Sequence, residues 1–197
     1  MVLYVGRLTD KKGPHLLISA MSKVIKKHPS AVLLLVGSKW YGNNEENDYV
    51  REIKVKAEKL GAAIQMTGFI PPSEVADYFL LGDIFVCASQ WEEPLARVHY
   101  EAMATGLSTI TTNRGGNPEV IIPGKNGIVI TDYENSGAFA DRIDYLLSRP
   151  NKREEMGRRG RELAELHYGW SRVAWDILSV INDSGLMSSL EKLGQAG

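Results

Sequence analysis

The chain has 197 residues, with 23 Lys plus Arg against 24 Asp plus Glu, a formal net charge of −1, 44% hydrophobic and 24% charged residues. The charge balance removes the electrostatic basis for a nucleic-acid partner, and the ordinary composition excludes disorder, collagen and coiled coil. A chain of this mass buries roughly 70% of its unfolded surface, enough for one core without staples.

Cys87 is the single cysteine, so neither an intramolecular disulfide nor a multi-thiolate zinc site can form, and a reducing compartment is the default. The longest apolar runs, such as residues 31–36, fall far short of the roughly 18 to 20 residues that cross a bilayer. Met1 leads directly into Val2-Leu3-Tyr4-Val5 with no basic or long apolar leader. A cytoplasmic location without a transmembrane segment is expected.

Short apolar runs at 2–5, 31–36, 63–66, 84–88, 108–112 and 127–130 alternate with helical periods at 15–27, 47–60, 73–81, 98–105 and 136–147. That alternation predicts an α/β fold with a parallel sheet. In the first helix Leu16, Leu17, Ala20, Val24 and Ile25 recur at three- and four-residue steps and make one buried face. The strands and crossovers suggest a Rossmann-like doubly wound sheet, which binds ligands in the loops at the carboxyl ends of its strands. Two C-terminal helices are expected. The first, 151–167, carries Glu154 with Arg158 and Glu155 with Arg159 on a solvated face, and the second, 170–181, sets Trp170, Val173, Ala174, Ile177 and Ile181 on one stripe. Residues 1–182 read as one domain and 183–197 as a tail.

The loops carry the chemistry. After the first strand, Gly6-Arg7-Leu8-Thr9-Asp10-Lys11-Lys12-Gly13-Pro14 delivers three cations to a helix N-terminus, an arrangement suited to phosphate or to a plain exposed turn. It is neither a dinucleotide fingerprint nor a Walker loop. After the 84–88 strand, Glu93 stands in a loop and Glu101 about a turn into the following helix. These carboxylates can accept bonds from sugar hydroxyls and a vicinal diol, while the N–H groups near Ala96 to Val98 face a diphosphate. The competing assignment makes Glu93 a helix cap and Glu101 part of a solvated face. Trp91 either lines the pocket or packs on the sheet edge. In Asn113-Arg114-Gly115-Gly116-Asn117-Pro118-Glu119, adjacent glycines allow a sharp turn or close approach to a ligand. His15, His28 and His167 read as structural or solvated, and His99 lacks the spacing of a metal ligand, so no metal site is expected.

In order along the chain, Gly6-Arg7-Leu8, Lys12-Gly13, Val36-Gly37, Gly68 with Ile70, Ser89, Glu93-Pro94, Glu101-Ala102-Met103-Ala104, Gly106, Gly115-Gly116 with Glu119, and Gly127 resemble the nucleotide-sugar-binding C-terminal domain of glycosyltransferase family 4, of GT-B architecture. The run from Glu93 to Ala104 is also similar to a branch of bacillar spore-coat transferases. The resemblance implies retaining transfer from a nucleoside diphosphate sugar without metal or other cofactor. It assigns the diphosphate to Arg7 and Lys12, the sugar to Glu93, the ribose hydroxyls to Glu101 and the base to backbone around Ile70, and these residues form the expected site with Gly6, Gly37, Ala96, Arg97 and Val98. Arg7, Lys12 and Glu93 are its catalytic candidates. Leu95-Ala96 stands where the family usually has Phe-Gly, and the Ala96 methyl narrows the space beside the transferred sugar. In such enzymes an acceptor domain precedes this one, so the chain is expected to be a donor half that lacks its N-terminal domain, peripheral to a membrane only through it. The alternatives are a GT-B enzyme of epimerase or phosphorylase type, or a non-catalytic nucleotide-sugar-binding module.

Overall fold

The computed structural model describes residues 1–40 and 46–183. Six parallel strands, β1 (Val2–Val5), β2 (Leu33–Val36), β3 (Ile64–Met66), β4 (Ile84–Cys87), β5 (Ser108–Thr112) and β6 (Gly127–Ile130), form one sheet in the order β3-β2-β1-β4-β5-β6. The doubly wound expectation is therefore met, and the strand order reverses between β1 and β4.

The strands are apolar at successive positions because both faces are covered. Val2, Tyr4, Leu33, Leu35, Ile84 and Val86 point to a cluster with α1 (Pro14–Lys27), α2 (Asp48–Glu58) and α5 (Ser136–Leu147). Their neighbours Leu3, Leu34, Val36, Phe85 and Cys87 point the other way, toward Phe79 of α3 (Val75–Phe79) and Ala102 of α4 (Val98–Ala104). α6 (Pro150–His167) packs on α4 and β5.

Element ends moved for local reasons. β2 begins at Leu33 rather than at 31, because the Ala31 N–H turns back onto the His28 carbonyl at 2.9 Å. Asn47 is not helical but caps α2, its side chain accepting from the Val50 N–H at 3.0 Å. α3 is shorter than 73–81, since Glu74 N–H bonds the Pro71 carbonyl in a preceding turn.

On α6, Arg159 pairs with Glu155 at 3.2 Å as expected, but Arg158 reaches forward to Glu162 rather than back to Glu154. The last helix, α7 (Trp170–Asp183), keeps part of its expected stripe in solvent: Trp170 is 83% exposed and Ala174 and Ile177 are also exposed, while Val173 and Ile181 are half-buried. Among the described residues, no helix is long and apolar enough to cross a membrane. The expected tail lies outside the described residues from 184 onward.

Candidate functional site

At the reversal point a cleft of about 410 Å³ opens over the carboxyl ends of β1 and β4. Gly6, Arg7 and Lys12 line it from the first loop, Gly37, Ser38 and Trp40 from the β2 exit, and Phe69, Ile70, Pro72 and Val75 from beyond β3. Cys87, Ser89, Glu93, Leu95, Ala96, Arg97 and Val98 follow from β4, with Glu101 on α4. Every residue proposed from the sequence for donor binding thus stands on one cleft. The aromatic wall of Trp40 and Phe69 was missed, because a loop aromatic carries no periodic signal.

The first loop is pinned across the sheet. Gly13 adopts φ 70°, and a Cβ there would lie 2.2 Å from the Ala88 carbonyl oxygen, so only glycine lets the loop meet the β4 exit. The Gln90 N–H donates to the Lys11 carbonyl at 2.8 Å, and the Tyr4 hydroxyl donates to the Arg7 carbonyl at 2.6 Å. This docking carries the Lys12 ammonium onto Glu93 Oε2. Their side chains are only 18% and 10% exposed, so the pair is largely shielded from water.

Glu93 Oε2 also accepts from the Ser89 hydroxyl at 3.0 Å and the Trp91 indole Nε1–H at 2.8 Å. Burial pushes the Glu93 pKa up, but hydrogen bonds from Lys12, Trp91 and Ser89 outweigh it and hold the carboxyl below its ordinary value. All three of these donors use Oε2. The capping alternative for Glu93 fails: α4 starts at Val98, with Arg97 before it and no side-chain cap. Trp91 is not among the residues lining the cleft; its indole N–H is hydrogen-bonded to Glu93, with the Lys11 and Lys12 ammonium groups 5.8 and 5.7 Å from its ring centroid.

The third loop holds the Glu93 segment from behind. Gly116 N–H donates to the Glu93 carbonyl at 2.7 Å, and Gly115 N–H donates to the Glu92 carboxylate at 2.6 Å. Cβ atoms on Gly115 and Gly116 would lie 2.0 Å from the Glu93 oxygen and 1.9 Å from the Pro94 oxygen. Arg114 adds an ion pair to Glu92 at 2.7 Å. The close backbone approach expected of this glycine pair is real, but it is made to protein rather than to the cleft.

At the entrance to α4, His99 and Tyr100 N–H groups take the Ala96 and Arg97 carbonyls at 3.1 and 2.9 Å. The N–H groups of Ala96, Arg97 and Val98 precede that ladder, and no backbone carbonyl among the described residues takes them. α1 does not supply such an end to the cleft: Gly13 and Pro14 are buried, and Pro14 has no N–H. Fully buried His99 sets the entrance, its Nδ1 donating to the Ala96 carbonyl at 2.8 Å while Nε2 meets the Thr111 hydroxyl at 2.8 Å. A carbonyl can only accept, so Nδ1 carries the hydrogen. Glu101 faces solvent inside the concavity, where the enclosing protein raises its pKa against the opposing pull of Arg97. His15 and His28 are structural, bonded to Tyr49 and Asp144 at 2.8 Å each.

The sequence model of a family described as glycosyl transferases group 1 matches residues 1–163. Spore coat protein SA of Bacillus subtilis (strain 168) is 49% identical over 91% of this chain and 48% of its own length. A putative glycosyltransferase of the same organism, YtcC, is 42% identical over 88% of this chain and 43% of its own. Among solved structures, Anabaena Alr3699/HepE in complex with UDP-glucose superposes with a TM-score of 0.82 at 25% identity, covering 92% of this chain and 48% of that one. The chain therefore spans about half the length of the curated relatives it matches.

Proposed function

This chain belongs to the group 1 glycosyl transferases, and on that premise we propose that it is the donor-binding half of an enzyme that transfers a sugar from a nucleoside diphosphate sugar with retention of configuration. The observation that carries this reading is the convergence of Arg7, Lys12 and Arg97 with Glu93 and Glu101 on one cleft at the switch point of the sheet. The complex of Alr3699/HepE with UDP-glucose supports the donor class.

In this reading Arg7, Lys12 and the N–H groups of Ala96 to Val98 face the diphosphate and stabilise the negative charge that grows as it departs. Glu101 accepts the ribose hydroxyls, backbone at Ile70 meets the base, and Glu93 accepts sugar hydroxyls through Oε1. The acceptor attacks the sugar from the face that the diphosphate leaves. The cationic side chains supply the positive charge, so the mechanism uses no metal or other cofactor.

Residues 1–182 are the donor domain in this proposal, working in the cytoplasm. The coverage of about half of each relative supports an acceptor wall contributed by a further domain, against which the exposed apolar residues of α7 pack.

Calorimetry of the 197-residue chain with the diphosphates of uridine, guanosine and adenosine, each with and without glucose, tests the reading. One sugar-bearing donor is expected to bind more tightly than its bare diphosphate, without transfer, because half the reactive geometry is missing. Absence of any sugar advantage overturns the donor reading, and efficient saturable transfer by this chain overturns the half-site reading.

A further inference from the structure

Three side chains converge on one oxygen of the Glu93 carboxylate. Lys12, Ser89 and Trp91 all address Oε2, and these donors differ in what a ligand does to them. The ammonium of Lys12 is mobile on four methylenes and faces the same cleft as Arg7, so an incoming diphosphate competes with Glu93 for it. The Ser89 hydroxyl is buried and rotates, with Cys87 Sγ also nearby at 3.8 Å. Trp91 is different. Its indole is rigid, it lies outside the cleft wall, and its Nε1–H has the 2.8 Å contact to Oε2 as its hydrogen bond. The Lys11 ammonium, which does not line the cleft, lies 5.8 Å from its ring centroid, a contact with the first loop that does not depend on where Lys12 goes.

We propose that Trp91 is a positioning residue for sugar recognition: its indole N–H anchors Glu93 Oε2 and so keeps Oε1 presented to the transferred sugar when the diphosphate draws Lys12 away. The inference rests on the donor-cleft reading above. It assigns Trp91 a part in the sugar-dependent share of affinity and none in the diphosphate share. A carboxylate with two free torsions beyond Cβ gains from an anchor that does not move with the ligand, because the order needed for binding is then present beforehand.

The test is Trp91→Phe, which keeps an aromatic ring and removes the N–H. Calorimetry is run on wild type and variant with whichever of UDP-, GDP- or ADP-glucose binds wild type best, and with the matching bare diphosphate. The expected result is bare diphosphate affinity unchanged within twofold and the sugar advantage reduced at least fivefold. Unchanged diphosphate affinity also reports that the cleft is folded. In parallel, the indole Nε1–H resonance of Trp91, assigned by its loss in the variant, is expected to move in Glu93→Gln and on adding the sugar-bearing donor, and to move less with bare diphosphate. A sugar advantage that survives Trp91→Phe overturns the inference while leaving the donor reading intact. Equal loss for both ligands shows that Trp91 merely supports the loop and also overturns it. If wild type binds the bare and sugar-bearing forms equally, the donor reading fails and the inference with it.

Discussion

Lys12 Nζ is ion-paired to Glu93 Oε2 across 81 positions of sequence. The sequence assigned these groups to different parts of one ligand, the cation to diphosphate and the carboxylate to sugar. In the donor-binding reading proposed above, this contact would couple the two subsites, since a diphosphate that recruits Lys12 would also release Glu93 for hydroxyl groups.

Substitutions at the two glutamates should therefore separate. Glu101→Ala is expected to weaken bare diphosphate and sugar donor alike, by roughly tenfold or more, since a hydrogen bond to a charged group is worth about 1.5 to 3 kcal/mol. Glu93→Gln is expected to abolish most of the sugar advantage while leaving bare diphosphate binding equal or tighter, because Lys12 loses its competing carboxylate. Calorimetry with both ligands on both variants reads the difference, and equal weakening of bare diphosphate would refute the division of roles.

Chelation provides a second check. Donor binding is expected to be unchanged in EDTA, because Arg7, Lys12 and Arg97 line the cleft and supply the positive charge for the diphosphate. Loss in EDTA with recovery on adding magnesium or manganese would contradict this.

The glycine pair behind Glu93 should be intolerant of a methyl group. A Cβ at position 116 would lie 1.9 Å from the Pro94 carbonyl oxygen, so Gly116→Ala must displace backbone, at a cost of about 1 to 3 kcal/mol. For a chain of this size that corresponds to a melting temperature lower by roughly 2 to 12 °C. Calorimetric melting checks it, and the sugar advantage should fall with the displaced Glu93 loop.

Acid should loosen the contact between α1 and α5. The Lys27 and His28 side chains hydrogen-bond Asp144 at 2.6 and 2.8 Å and hold its pKa at about 2, against an ordinary 3.8. The folded value is depressed, so this contribution is present above the unfolded pKa and is lost as pH falls through the folded one. The stability difference between wild type and Asp144→Asn is expected to shrink between about pH 4 and pH 2, measured by urea unfolding across that range.

Removing α7 should leave donor binding intact. Its Trp170, Trp175 and Val180 side chains are exposed, and the cleft draws no residue from it. A chain ending at Gly169 is expected to bind donor with unchanged affinity and to bind a hydrophobic dye less than the longer chain, a comparison that fluorescence titration makes directly.

The amino-acid order by itself determined which elements form and most of the polar cast of the cleft, though not its Trp40 and Phe69 wall. Branched apolar runs buried on both faces have to be parallel strands, helical period marks the crossovers, and a doubly wound sheet puts its ligand loops at strand carboxyl ends. Gly6, Arg7, Lys12, Glu93 and Glu101 were legible for that reason. Tertiary structure alone decided how they are used. Whether Lys12 meets Glu93, whether Gly115 and Gly116 face a ligand or the Glu93 backbone, and whether Trp91 packs, lines or donates all depend on β1 lying beside β4 and β4 beside β5. Periodicity reports which face of an element is buried, but the distance between two loops far apart in sequence is set by the order of the strands that carry them.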